Sequence, residues 1–364
     1  MIKQIQPYFD GRDKKSLNDV FNTSFITEGK INEKFENRIK KKLGYKYAVT
    51  VSNWTLGIYS ILIELKKINP NQNEVILPNL TFIASYTSIK MAGLKPILCD
   101  IDVNTFNIDP SCISKLVNKK TLAIMVVHNY GFPSDMNKIQ KIAKSNKIKI
   151  IEDAASALGA KYKKKYIGAT NYAGGYSLYG NKMITTGEGG IIVTNNKSLN
   201  DNIRKLKNFG RTKKGTYIHE SLGYNFKFTD LQAALGLTQF DKIDKIISHK
   251  KKIYHLYRKY LKDQVEIKFQ EFDSNISEPT FWFTNIITKK KKALIKYLHK
   301  SNIETRELFL PLSRQQFISK KLSNKFVNSS FIYDNGLSLP SHMLILPTHV
   351  KYICSKIKYF YNKY

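Results

Sequence analysis

Cysteine is nearly missing from this chain: three in 364 residues, at Cys99, Cys112 and Cys354. Three dispersed thiols supply neither a disulfide framework nor a cysteine-rich metal cluster. Cys99 ends the apolar run Pro96-Ile97-Leu98 and reads as a small core residue. Long apolar runs are also absent, none nearing the roughly 20 residues that span a bilayer. The start, Met1-Ile2-Lys3-Gln4-Ile5, lacks the apolar stretch of a secretory leader. These absences set the expectation of a soluble cytoplasmic protein with no membrane partner and no metal. No internal repeat or long linker breaks the chain.

Acidic residues are scarce, 28 against 60 Lys and Arg, for a formal net charge of +32. Such an excess raises the possibility of nucleic-acid binding. The lysines are spread along the whole chain, however, and clusters such as Lys163-Lys164-Lys165 and Lys289-Lys290-Lys291-Lys292 fall where turns are expected. The pattern favours a solvated basic surface that steers anionic small substrates, with no specific nucleic acid expected. A non-catalytic polyanion-binding protein on the same fold is the competing reading from a different class.

What is present is a strand–helix alternation. Strands are predicted at 47–51, 74–78, 96–100, 122–127, 148–152 and 190–194, with helices at 55–67, 81–92 and 136–145 between them. Alternation of this kind builds a mostly parallel sheet covered on both faces. Beyond about residue 240 the pattern changes. A long helix is predicted over 240–261, then a strand over 281–287, a helix over 292–299 and a last helix near the C-terminus. The division expected is a large α/β domain over 1–240, N-terminal arm included, and a smaller α+β domain over 241–364.

One constellation carries chemistry. Lys182 lies in a small-residue, turn-forming setting, Tyr179-Gly180-Asn181-Lys182-Met183, and Asp153 ends the apolar run Ile148–Glu152 upstream. Pyridoxal phosphate needs an amine for its aldehyde and an acid against its ring nitrogen, and this pair supplies both. Phe82, just past a strand ending at Pro78, can stack on the ring. Ser52-Asn53-Trp54-Thr55 opens a helix after a strand, where N–H groups grip phosphate, and Ser177 adds a hydroxyl. Each residue alone has an ordinary structural explanation; their order within one α/β segment makes the combination informative.

The wording of the chain resembles the DegT/DnrJ/EryC1/StrS family of nucleotide-sugar aminotransferases. The matching stretches are TEGKINEKFE (27–36), LPNLTFIAS (77–85), VHNYGFPSDM (127–136), IEDAASALGAKY (151–162), YSLYGNKMITTGEGGIIVTN (176–195), GYNFKFTDLQAALGLTQ (223–239) and LSLPSH (337–342). The resemblance implies an aspartate-aminotransferase-like fold (fold type I) in a homodimer with shared active sites. It implies Lys182 as the cofactor-bearing lysine, Asp153 as the ring-nitrogen partner, Phe82 as the stacking aromatic, and Ser177 with the 52–55 turn as phosphate donors. Asn225 would reach the neighbouring subunit's phosphate. Trp54 departs from the family's glycine and is expected to change the turn's backbone freedom and crowd the cofactor. Ser156 stands where relatives carry glutamine or glutamate near the cofactor hydroxyl. The implied reaction moves glutamate's amino group, through pyridoxamine phosphate, to C4 of a nucleotide-linked 4-keto-6-deoxy sugar, GDP-4-keto-6-deoxymannose foremost. A dTDP- or UDP-linked sugar, or amination at C3, are the alternatives. Arg306 and Arg211 are the cations considered for anionic substrates.

Overall fold

The computed structural model describes residues 1–212, 217–318 and 325–363. In chain order the first strands are β1 (Tyr47–Val51), β2 (Glu74–Pro78), β3 (Lys95–Cys99), β4 (Thr121–Val127), β5 (Lys149–Asp153), β6 (Lys161–Tyr162), β7 (Lys165–Tyr166), β8 (Ala173–Ser177) and β9 (Gly190–Thr194). All but β6 and β7 form one sheet in the order β1-β9-β8-β5-β4-β2-β3. Only β9 runs against its neighbours, β1 and β8; the other pairings are parallel. The α/β class read from the alternation is the observed one.

Helices α1 (Gly11–Asn22) and α2 (Lys30–Leu43) precede the sheet; α3 (Trp54–Ile68), α4 (Ile83–Met91), α5 (Pro110–Leu116), α6 (Met136–Ser145) and α7 (Lys197–Leu206) connect or follow its strands. Coverage on both faces explains why β4, Thr-Leu-Ala-Ile-Met-Val-Val, is buried along its whole length. Local chemistry starts the helices: Asn53 caps α3 through Leu56 N–H, and Asp135 caps α6 through Lys138 N–H.

Two boundaries differ from the sequence reading. The helix expected over 240–261 is two helices, α8 (Asp230–Asp241) and α9 (Ile243–Tyr260). They meet at Lys242, whose buried amine turns inward to Asp13. Strand β8 was not predicted. Its sequence, Ala-Gly-Gly-Tyr-Ser, is glycine-rich because backbone crowds it: a Cβ on Gly174 would stand 2.1 Å from the Gly168 carbonyl oxygen.

The remaining strands are β10 (Lys268–Phe269), β11 (Ser277–Glu278), β12 (Thr284–Ile287), β13 (Arg306–Glu307) and β14 (Gly336–Leu339), with helices α10 (Lys291–Lys300), α11 (Val327–Asn335) and α12 (Pro347–Lys363). A second, antiparallel sheet has the order β10-β12-β14-β13. The two parts are stitched together. β11 pairs with β6, and one apolar core joins Phe35, Tyr130 and Tyr176 to Phe281, Trp282 and Leu308. Among the described residues no helix is long and apolar enough to cross a membrane, and no group of metal-ligating side chains gathers.

Candidate active site

β4, β5 and β8 run parallel, with Val127 beside Asp153 and Asp153 beside Gly175, so Asp153 stands at the carboxyl edge of the sheet. Ligands in open α/β sheets bind at that edge. A cavity of about 730 Å³ lies there, walled by the start of α3, by Phe82 and Ser85, and by the loop between β8 and β9. Arg306 and Phe309, from the second sheet and the segment after it, close the other side.

The loop that carries Lys182 is closed on itself. Leu178 N–H donates to Gly189 C=O at 2.9 Å, and Thr186 N–H donates to Leu178 C=O at 3.0 Å. Gly187, at φ +81°, lets the chain double back into β9. The half-buried Lys182 amine lies 4.1 Å from the centroid of the Trp282 ring. Burial pulls its pKa down to about 8, against the opposing charge of Asp153; Arg306 pushes the same way as burial.

Asp153 is buried and densely bonded. Its Oδ1 accepts from Trp54 Nε1 at 2.8 Å and from Ala155 N–H at 3.1 Å, and its Oδ2 accepts from Ser85 Oγ at 2.6 Å. Its neighbour Glu152 points to the opposite face, where its carboxylate takes His128 Nε2 at 3.2 Å and Gly168 N–H at 2.7 Å, together with Thr170 N–H and Oγ. Ser134 N–H donates to His128 Nδ1 at 3.1 Å, which puts the imidazole proton on Nε2. Burial raises the Glu152 carboxyl, but the donors around it prevail and hold it below the ordinary value.

At the head of α3 the Asn53 side chain is committed to the Leu56 amide at 3.0 Å. The first intrahelical bond, Gly57 N–H to Asn53 C=O, leaves the Trp54 and Thr55 amides ahead of it at the positive end of the helix. Ser177 lines the cavity and accepts from Tyr179 N–H at 3.2 Å. Phe82 is exposed, its ring 5.9 Å from that of Phe309.

Seven sequence-nominated residues therefore meet at one cavity: Asn53, Trp54, Thr55, Phe82, Asp153, Ser177 and Lys182. Three do not. Ser52 sits at the end of β1 with its N–H on Phe226 C=O. Ser156 is withdrawn from the cavity because its hydroxyl donates to His128 C=O at 3.2 Å. Asn225 is exposed and bridges to Asn208, away from its own chain's cavity. The Trp54 indole is buried against Gly57 and Gly175, although the residue also lines the cavity. Of the two arginines, Arg306 lines the cavity, whereas Arg211 bonds to Asn208. Sequence reasoning missed Trp282, which stacks on Phe283 and donates to Asn181 C=O at 2.7 Å. Its signal was the aromatic triplet Phe281-Trp282-Phe283, readable from the sequence alone only as a strand.

The donor set fits pyridoxal phosphate. An amine of lowered pKa, a buried carboxylate with one oxygen facing a single donor, an exposed aromatic ring and a helix N-terminus share one cavity.

Comparison with known proteins agrees with this geometry. The chain is 36% identical over 344 residues to GDP-perosamine synthase of Escherichia coli O157:H7, covering 93% of each chain. It is 32% identical over 351 residues to GDP-perosamine synthase of Vibrio cholerae, covering 94% of each. Among solved structures, PseC of Helicobacter pylori, an aminotransferase involved in the biosynthesis of pseudoaminic acid, superposes with a TM-score of 0.94 at 26% identity over the full length of both chains. The model of the DegT/DnrJ/EryC1/StrS aminotransferase family matches residues 7–358, and the chain belongs to that family of pyridoxal-phosphate-dependent nucleotide-sugar aminotransferases.

Proposed function

We propose that this enzyme transfers the amino group of glutamate to C4 of GDP-4-keto-6-deoxymannose, giving GDP-perosamine. The observation that carries the chemistry is the meeting of Lys182, its pKa near 8, with Asp153 in one cavity. The choice of a GDP-linked sugar is supported by the likeness to the two GDP-perosamine synthases.

In this reading Lys182 would hold the cofactor's aldehyde carbon and Asp153 its ring nitrogen. Phe82 would cover the ring face, and the Trp54 and Thr55 amides with the Ser177 hydroxyl would take the phosphate. When bound, pyridoxal phosphate supplies a ring that accepts the electron pair released at the substrate carbon. Asp153, buried at the sheet edge, would hold the ring nitrogen through its carboxylate. Lys182 Nζ, as a free amine, would take the proton from the glutamate α-carbon and, with the keto sugar, would return a proton to C4. A pKa near 8 suits both directions, because a base works best near the operating pH. Arg306 faces the cavity mouth as a partner for anionic substrate groups. We further propose a homodimer in which Asn225 serves the phosphate of a second copy.

The test is an absorbance spectrum of the protein loaded with pyridoxal phosphate, taken before and after glutamate, then after GDP-, dTDP- and UDP-linked 4-keto-6-deoxy sugars. The glutamate-induced change should reverse with the GDP sugar, with a 4-amino product by mass spectrometry. Reversal with another nucleotide alone, or amination at C3, would overturn the substrate. Lys182→Ala should lower turnover by at least about 100-fold, the lower end of what a positioned base contributes, and Asp153→Asn should lose most activity. Normal turnover in Lys182→Ala would overturn the mechanism.

A further inference from the structure

Trp54 opens α3 inside the turn that takes phosphate in the reading above, yet its side chain serves another part of the site. The residue is 4% exposed. Its benzene ring fills space that two glycines leave open: a Cβ on Gly57 would stand 2.6 Å from indole Cε3, and one on Gly175 would stand 2.7 Å from Cζ3. No larger residue at 57 or 175 accommodates this indole. At its other edge, Nε1–H donates to Asp153 Oδ1 at 2.8 Å.

The carboxylate is bonded unequally. Oδ1 takes two donors, the indole and the Ala155 amide at 3.1 Å, whereas Oδ2 takes one, the Ser85 hydroxyl at 2.6 Å. Each carboxylate oxygen offers about two acceptor sites. Oδ1 is therefore filled, and the remaining acceptor direction belongs to Oδ2.

We infer that Trp54 is a positioning residue that locks the Asp153 carboxylate so that Oδ2 meets the cofactor's ring nitrogen. The inference rests on the reading of Asp153 as that nitrogen's partner. A rigid indole, packed on two glycines, fixes the donor more firmly than a mobile side chain does. Without the indole N–H, Oδ1 keeps only the Ala155 amide at 3.1 Å, and the Ser85 hydroxyl on Oδ2 becomes the carboxylate's main side-chain restraint.

The experiment is a double-mutant cycle on the holoenzyme with Trp54→Phe, Asp153→Asn and both together, read as the rate of the glutamate half-reaction. Trp54→Phe keeps an aromatic ring and the backbone amide but removes the N–H. Its expected loss is about 10–100-fold, the size typical of groups that orient a ligating side chain. In the Asp153→Asn background the same change should alter the rate by less than about threefold, because interacting residues are not additive. Equal loss in both backgrounds, with Asp153→Asn itself impaired, would overturn the role of Trp54 alone. A wild-type rate in Asp153→Asn would overturn the Asp153 reading and this inference together.

A second measurement needs no change at Trp54. The chain has two tryptophans, so 5-fluorotryptophan labelling gives two ¹⁹F resonances, assigned with Trp282→Phe. In the cofactor-free protein the Trp54 resonance should move on Asp153→Asn. An unmoved resonance would overturn the contact on which the inference stands.

Discussion

The reactivity proposed for Lys182 would follow from where its amine is held. The Trp282 ring 4.1 Å away favours a cation, and Asp153 does the same; withdrawal from water outweighs both and leaves a pKa of about 8 against an ordinary 10.5. Near pH 7 that raises the neutral, nucleophilic fraction by roughly 300-fold. The sign is testable. Capture of pyridoxal phosphate by the cofactor-free enzyme requires the neutral amine, so its rate should climb about tenfold per pH unit up to about pH 8 and level off above. Stopped-flow absorbance follows it directly, and a climb that continues to about pH 10 would show the amine to be solvated. Lys182 and Asp153 were legible in the sequence because each sits at a recognisable place, one in a tight small-residue loop and the other at a strand end. Trp282 was not, since it arrives from about 100 residues further on and no local spacing records what folds across; Arg306 was nominated beside Arg211, with nothing local to tell which of the two reaches the cavity. Trp54 was visible as a departure, but its meaning depends on Gly57 and Gly175, which only the fold brings beneath it.

At the scale of elements, β5 shows how a strand divides its work. Its period of two sends Asp153 to the cavity and Glu152 to the opposite face, where the carboxylate ties β5 to His128 and to the Gly168–Thr170 segment. The strand end is thereby fixed from behind, and Asp153 inherits that rigidity. Glu152→Ala leaves the imidazole and two backbone amides buried without their acceptor. It should destabilise the fold by about 1–3 kcal/mol for each donor left unsatisfied. Urea unfolding would read this as a lower midpoint, accompanied by weaker cofactor retention; an unchanged midpoint would contradict the anchoring role. Because the folded Glu152 is held below its ordinary value of 4.5, its contribution is complete above about pH 4.5 and is lost as pH falls through the depressed value. β4, β5 and β9 could be read from their apolar runs. β8 could not, because close backbone contacts demand glycine at 174 and 175, and glycine erases the compositional signature of a strand.

At the scale of the whole molecule, the exposed surface carries apolar side chains that a lone chain leaves in water. Phe21 in the last turn of α1 and Phe25 and Ile26 just after it are exposed, as are Tyr217, Ile218 and Leu222 in the loop before Asn225. Ile26 C=O accepts from Asp230 N–H, so this N-terminal segment meets the head of α8, a few residues past Asn225. Exposed apolar groups that form a patch mark association surfaces, and a second copy seated on such a patch would cover them. That geometry makes a sharp prediction about mixed assemblies. Lys182→Ala removes the amine from its own cavity, whereas Asn225→Ala, if it serves the other copy, damages the opposite one. In a mixed dimer both defects then fall on the same cavity and the other is intact. Two-fold pairing at random makes half the particles mixed, so the unselected co-expressed variants should recover about one quarter of wild-type activity and the mixed dimer isolated through both tags about one half, although each variant alone is nearly inactive. If Asn225 instead serves its own chain, every cavity in the mixed dimer carries one defect and nothing is recovered. Steady-state assays of the co-purified, differentially tagged pair separate the two arrangements, and failure to recover activity would remove Asn225 from the shared site.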